Sequence, residues 1–179
     1  MTPTFRRFDP SRDKAALVEL LSAETWTYRV KVKITEDEAR EELDRGMYTD
    51  DDVRTFLIEV GDEIAGYVRA EDLGKERSDP QLDFRLRERF RGQGIGGVAL
   101  EFITREVFQR FPQTRRIEGQ TRRDNAAMRR VFTRGGYVME GVYRSAWPTG
   151  DEFHDGIGYA ILRSDWETGT TTPVDWSEG

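Results

Sequence analysis

The chain has 179 residues, no cysteine, one histidine and a formal net charge of −6 at pH 7. That length fits one domain with a single sizeable core, and the residue usage leaves no disulfide framework, thiolate nucleophile or cysteine metal site. One histidine argues against a histidine metal site, no apolar run is long enough for a bilayer, and the opening M-T-P-T-F-R-R-F lacks the apolar core of a signal peptide. We therefore expect a soluble, cytoplasmic protein without a metal or a membrane partner. The negative sign also disfavours nucleic acid. It hides a division, however. Residues 85–134 hold 13 Arg and 5 Asp or Glu, a balance of +8, so the remainder totals −14. Residues 36–52 alone carry nine carboxylates and two arginines. The basic block suits a polyanion and the acidic part suits a cation, although both patterns also describe solvated faces.

Phe5 to Phe8 reads as a short first strand. Asp9-Pro10-Ser11 caps a helix with Leu17, Leu20 and Leu21 on one face. Trp26, Tyr28, Val30, Val32 and Ile34 alternate, which predicts an extended segment. Thr35 opens a second helix as T-E-D-E, a capping-box pattern, closed by Gly46 and Asp50–Asp52. Val53–Val60 and Ile64–Glu71, joined by Gly61-Asp62-Glu63, predict a hairpin. Leu73–Pro80 is a polar loop. In Gln81–Arg87, apolar Leu82, Phe84 and Leu86 alternate with polar neighbours, as in a half-buried strand. A glycine-rich turn, Phe90-Arg91-Gly92-Gln93-Gly94-Ile95-Gly96-Gly97, leads into a helix with Leu100, Ile103, Val107 and Phe111 on one side. Arg116–Thr121 is a strand. Asp124 or Asn125 caps a helix with Ala127 and Val131 inward, with Met128 and Phe132 as further inward candidates, stopped by Gly135-Gly136. Val138–Ser145, a turn at Pro148–Asp151, and Phe153–Leu162 form a terminal hairpin. We expect one domain over residues 1–167 and a flexible tail over 168–179, with Trp176 as a residue able to dock. The order of elements predicts an α/β (α+β) fold: a mixed sheet flanked by helices.

The glycine turn carries the chemistry. Glycines allow main-chain N–H groups to converge and a ligand to come close, and the helix start adds unpaired N–H groups and a positive dipole end. Such a place binds phosphate. A turn with glycines for steric reasons alone is the competing reading. The Walker pattern is missing because no G-K-S/T follows. The dinucleotide pattern is missed because the glycines fall at 92, 94, 96 and 97.

The remaining pattern, R-G-Q-G-I-G, resembles the acyl-CoA pyrophosphate loop of the GNAT N-acetyltransferase superfamily, Q/R-x-x-G-x-G/A, with Arg91, Gly94 and Gly96 at its fixed positions. The order of elements resembles the same fold, a mixed, mostly antiparallel sheet of six to seven strands. The second half is similar to the branch acting on ribosomal-protein N-termini. Asn125 to Gly141 looks like N-x-x-S/A-x-x-V followed by G-F-x-x-E-G, with Met128 at the S/A position and Tyr137 at the phenylalanine, and Asp155, Tyr159, Leu162, Asp165 and Trp166 match D-x-x-x-Y-x-x-L-x-x-D-W. Aminoglycoside acetyltransferases share most of these patterns. The resemblance implies direct acetyl transfer from acetyl-CoA to a primary amine: a protein N-terminus, a polyamine or an aminoglycoside-type molecule. A non-catalytic acyl-CoA-binding domain is the alternative of another class. Dimers are common in that family, and a homodimer is compatible with it.

Carried over by position, Arg91, Gly92, Gln93, Gly94, Ile95 and Gly96 would hold the pyrophosphate, with Gly97 at the helix start. Leu86 and Arg87 would pair with the pantetheine amide like an added strand. Asn125 would bond the pantetheine arm or the loop, beside its capping role. Arg129 and Phe132 would lie along the cofactor, with core packing as the other reading of Phe132. Many members place a tyrosine acid where Phe132 stands, and phenylalanine has no proton to give. For the base, Asp83 or Glu118 acting through water are the candidates, ahead of Glu71 and His154. Trp26, Tyr28, Trp147 and Phe153 would line the acceptor pocket, unless they are ordinary core or hairpin packing.

Overall fold

The computed structural model describes residues 2–75 and 79–177. Part of the loop expected over 73–80, and the last two residues of the expected tail, lie outside them. Seven strands form one sheet: β1 (Thr4–Arg7), β2 (Arg54–Val60), β3 (Glu63–Glu71), β4 (Gln81–Leu86), β5 (Arg116–Arg122), β6 (Val138–Thr149) and β7 (Glu152–Leu162). Their order is β1-β2-β3-β4-β5-β7-β6, and every pair is antiparallel except β4 with β5. The mixed α/β architecture expected from the sequence is the one observed.

Alternation along the strands divides the core between the two faces. Phe56, Ile58, Val60, Val68 and Ala70 pack with helices α3 (Ile95–Arg110) and α4 (Ala126–Arg134). Leu57 and Tyr67, one step out of phase, pack with α1 (Pro10–Ala23) and α2 (Glu36–Asp44). The helix caps are those read from sequence. The Asp9 side chain accepts from the Ser11 N–H, Thr35 and Glu38 form the capping box, and Asn125 Oδ1 accepts from the Met128 N–H.

Several expectations are corrected. Residues 26–34 turn instead of extending: the Trp26 N–H donates to the Val32 carbonyl (2.7 Å), and the indole Nε1 donates to Leu21 O (2.9 Å), which buries the ring. The alternation there reflects Trp26 and Ile34 turned inward at the two ends, with Tyr28 and Val30 exposed between them, not a ladder. In α4 Phe132, 1 % exposed, is the most deeply inward residue and Met128 and Val131 pack beside it, while Ala127 faces solvent. In β4 the polar face is buried too, because the 24–35 loop covers Asp83. Strand β6 continues past Ser145 to Thr149. A register shift between Tyr143 and Trp147 absorbs the irregularity, Ser145 takes φ +51°, and its N–H donates to Asp155 Oδ1. An edge strand tolerates Pro148. A short helix α5 (Arg163–Thr168) follows β7, and Trp176 does not dock, being 62 % exposed.

Candidate active site

The one parallel joint positions the site. Strands β4 and β5 pair only at Gln81 with Glu118 and Leu82 with Gly119. Beyond that, β4 runs on to Leu86 and β5 to Arg122 without meeting, so the sheet opens between them. The Glu118 N–H donates to Pro80 O (2.8 Å), which puts the peptide groups of the even-numbered β4 residues on the β5 side. Phe84 and Leu86 therefore present main-chain groups to the opening. Two arginines meet them: Arg29 Nη2 donates to Phe84 O, and Arg91 Nε donates to Leu86 O (2.9 Å). Leu86 is placed as expected. Arg87 is not. Its N–H turns back to Ala65 O on β3 (2.9 Å), and its buried guanidinium binds Ile64 O and Glu19, so strand alternation removes its N–H from the opening.

Just past β4, a short 3-10 turn (Glu88–Phe90) anchors the glycine loop through buried Phe90. Gly92 and Gly94 take φ +73° and +82°, a region open to glycine at little cost. Helix α3 starts with the Gly97 and Val98 N–H groups on Gly94 O. Among the described residues, none accepts a hydrogen bond from the N–H groups of Gly92, Gln93, Gly94, Ile95 or Gly96. A side chain at Gly92, Gly94 or Gly97 would meet no atom within 4 Å of its Cβ, so these amides border open space. At Gly96 an added Cβ would instead meet Val131 (3.5 Å) and Leu86 (3.9 Å). Five free amides at a helix start, beside an opened sheet, suit a diphosphate.

Downstream, Asn125 spends its amide on the cap and on Thr121 Oγ1 (3.1 Å). Arg129 Nη1 donates to Arg123 O (3.2 Å), and its Nε reaches the Tyr159 hydroxyl at 3.4 Å. Phe132 stacks on Tyr159 (centroids 5.0 Å, planes 15° apart) and packs over Gly119. Its ring belongs to the core and not to the opening, with Met128 and Val131 of α4 packed against the same cluster.

A model described as an acetyltransferase (GNAT) domain matches residues 4–138. The chain belongs to the GNAT acetyltransferase family. Members of this family use acetyl-CoA, and among the solved structures most similar to this GNAT protein is the ribosomal L7/L12 alpha-N-protein acetyltransferase RimL in complex with coenzyme A. It is 24% identical with a TM-score of 0.77, covering 90% of this chain and 94% of that one. A Salmonella typhimurium acetyltransferase that modifies the N-terminal serine of L7/L12 is 23% identical (TM-score 0.76, covering 90% and 95%). A spermidine N-acetyltransferase SpeG chimera from Vibrio cholerae and hSSAT is 15% identical (TM-score 0.78, covering 93% and 99%). Identities this low establish the shared fold.

The other side of the opening in this GNAT domain is a polar wall. Helices α1 and α2 cover the sheet over β2 and β3. On the same side, alternation places Asp83 and Arg85 of β4, Glu118, Gln120 and Arg122 of β5, and His154 of β7. The 24–35 loop and the β6–β7 hairpin meet at Arg122. Its Nη1 donates to Thr27 O (3.1 Å) and Thr149 Oγ1 (3.3 Å), its guanidinium binds Asp124, and Tyr28 lies 5.3 Å beneath it. Trp147 lies on this side, where a Cβ added at Gly156 would meet its ring at 3.6 Å. Trp26 is buried under Arg85 (5.1 Å) and Arg91 (5.9 Å). Phe153 pairs in register with Pro148, one step out of phase with Trp147 and His154, so it points the opposite way and is 68 % exposed. It leaves the expected acceptor group for that reason.

Asp83 is unsuited to take a proton. Burial alone would raise its pKa, but the charges of Arg29, Arg69 and Arg85 and a hydrogen bond from the Tyr67 hydroxyl (2.5 Å) hold it well below the usual carboxylate range. A base works best with a pKa near the operating pH. Glu118 keeps about a quarter of its side chain exposed (26%), with one oxygen on Arg116 (2.8 Å) and the other accepting from the Gln81 amide. Nothing in the sequence marks Arg29, Arg85 or Arg122 as neighbours of the opening. The only signal is the alternation of Asp83, Arg85 and Arg87 along a strand, which reads equally as a solvated face.

Proposed function

We propose that this acetyltransferase moves the acetyl group of acetyl-CoA directly to a primary amine, with a peptide N-terminus as the first acceptor to test. The observation that carries the reading is the row of unbonded N–H groups at 92–96 beside the opened end of β4. In this reading those amides hold the pyrophosphate, and Gly97 leaves the room it needs. The Leu86 main chain takes the pantetheine amide as an added strand once the Arg91 side chain swings from Leu86 O toward phosphate. Main-chain donors near Leu86 stabilise the oxyanion that develops on the carbonyl. An ammonium has no lone pair, so the amine must first lose a proton. Glu118, acting through water, is the carboxylate left to accept it after Asp83 is set aside. Residue 132 gives no proton to the departing thiolate. Trp147 and Tyr28 flank the acceptor, and residues 1–167 act as one domain.

Free-thiol release from acetyl-CoA over peptides, spermidine and an aminoglycoside tests the reading, with CoA calorimetry beside it. Thiol release matched by a one-acetyl mass gain on an amine supports it. CoA binding without transfer to any amine would leave only a binding domain. Glu118→Gln should lower kcat and flatten the rise of rate with pH. An unchanged profile removes Glu118 from the role.

A further inference from the structure

Arg85 stands apart among the charged groups of the wall. It lies three residues beyond the last β4 residue paired with β5. Its Nε and Nη1 are enclosed, yet neither has a hydrogen-bond acceptor among the described residues. Its guanidinium lies 5.1 Å from the Trp26 ring and 5.9 Å from the Tyr67 ring, which fix its position without neutralising it. The charges of Asp83 and Glu42 reach it, but the hydrogen bonds and ion pairs of the nearby acidic groups go to other residues. Asp83 pairs with Arg29 and accepts from Tyr67, Glu71 pairs with Arg69 (2.9 Å), and Glu42 accepts from Tyr48 (3.2 Å). Across the opening, Arg122 is matched by Asp124. An arginine cannot shed its charge, and enclosed donors without acceptors are costly. The wall therefore carries one cation in want of an anion, beside the place where the amine must enter.

We propose that Arg85 sets acceptor choice by binding a carboxylate carried next to the reactive amine, a reading that rests on the acetyltransferase role proposed above. The chemistry is that of an α-amino acid or of a peptide N-terminus with Asp or Glu in its first residues. The guanidinium binds a carboxylate through a charge-assisted N–H bond from Nη2, the nitrogen outside the enclosed pair, while Trp26 and Tyr67 flank it. A polyamine, cationic throughout, meets repulsion at the same point. The acidic stretch 36–52 does not offset this, since it forms α2 and the turn after it, packed with α1 over β2 and β3.

The test is calorimetry of the CoA-loaded protein with a matched set: Asp-Ala-Ala and Asn-Ala-Ala amides, free aspartate and spermidine. Parallel acetyl-transfer rates are measured with acetyl-CoA. The expected result is at least tenfold tighter binding of the Asp over the Asn peptide. Arg85→Met, which keeps the packing on Trp26, should bring that ratio close to one with CoA affinity unchanged, and Arg85→Lys should restore part of it. Free aspartate binding as well as the Asp peptide supports a small amino-acid acceptor. Aspartate binding weakly beside a tight Asp peptide supports a peptide acceptor. Equal binding of Asp and Asn peptides by the parent protein overturns the proposal. So does loss of CoA affinity in Arg85→Met, which would assign the arginine to the cofactor. If the Met variant fails to fold, the Asp–Asn comparison on the parent protein still decides. Carboxylate-dependent binding without acetyl transfer upholds Arg85 and refutes the enzymatic reading alone.

Discussion

Replacing Gly97 by Glu should separate stability from cofactor binding. Gly97 sits in the first turn of α3, where an added Cβ meets no atom within 4 Å, so the substitution has no steric cost in the free protein. Loss of glycine from a helix stabilises by about 0.5–1 kcal/mol. A carboxylate at a helix N-terminus adds about 0.3–1 kcal/mol. Together these raise Tm by roughly 2–8 °C for a chain of this size. Binding moves the other way. One negative charge about 6 Å from a doubly charged pyrophosphate, at an effective dielectric of about 40–80, opposes binding by about 1.4–3 kcal/mol. That is a tenfold to roughly hundredfold weaker CoA complex. The loss should shrink as salt is raised, because the site is open to solvent. Gly97→Gln supplies the same bulk without charge. Thermal melts and CoA calorimetry at two salt concentrations read out all three proteins. Glu and Gln variants that both bind CoA like the parent would refute the placement of a pyrophosphate at the head of α3.

Gly119→Ala should destabilise by about 1–3 kcal/mol, because its Cβ would come within 2.5 Å of Phe132 Cε1; Phe132→Leu in the same chain should recover part of the loss in urea titrations. An Ala variant as stable as the parent would show that Phe132 is not held against β5. Asp83→Asn should cost about 3–5 kcal/mol, since Arg29 and Arg69 then face a neutral amide in a buried setting. A stable Asn variant that has lost only kcat would restore Asp83 as a catalytic base. Burial raises the pKa of Asp13, but bonds from Arg6, the Asp9 N–H and Arg12 bring it down to about 2. A depressed carboxylate pKa gives stability that is full above the ordinary value near 4 and lost as pH falls through about 2. Asp13→Asn should therefore cost about 2 kcal/mol at pH 7 and flatten the fall in stability between pH 4 and 2, followed by urea unfolding at several pH values.

Local signals determined much of this protein. Side-chain caps, glycine stops and alternating apolar residues act over a few positions, so the strands, α1 to α4 and the glycine-rich turn at 91–97 are legible in the sequence. The same holds for Asn125, whose capping pattern lies within four residues. The tertiary structure alone decided what depends on distant partners. Asp83 reads as a candidate base by its place on a strand; Arg29, 54 residues earlier, and Arg69 turn it into a buried counter-ion. Arg85 and Arg87 occupy equivalent positions in the alternation. Yet Arg87 is tied to Glu19 and Ile64, while Nε and Nη1 of Arg85 have no hydrogen-bond acceptor among the described residues. Phe132 and Ala127 share one short helix, and only the hollow over Gly119 settles which of them turns inward. A sequence pattern specifies which faces an element has. What each charged side chain does there depends on the electrostatic sum over residues far apart in the chain, and that sum exists only once the fold has brought them together.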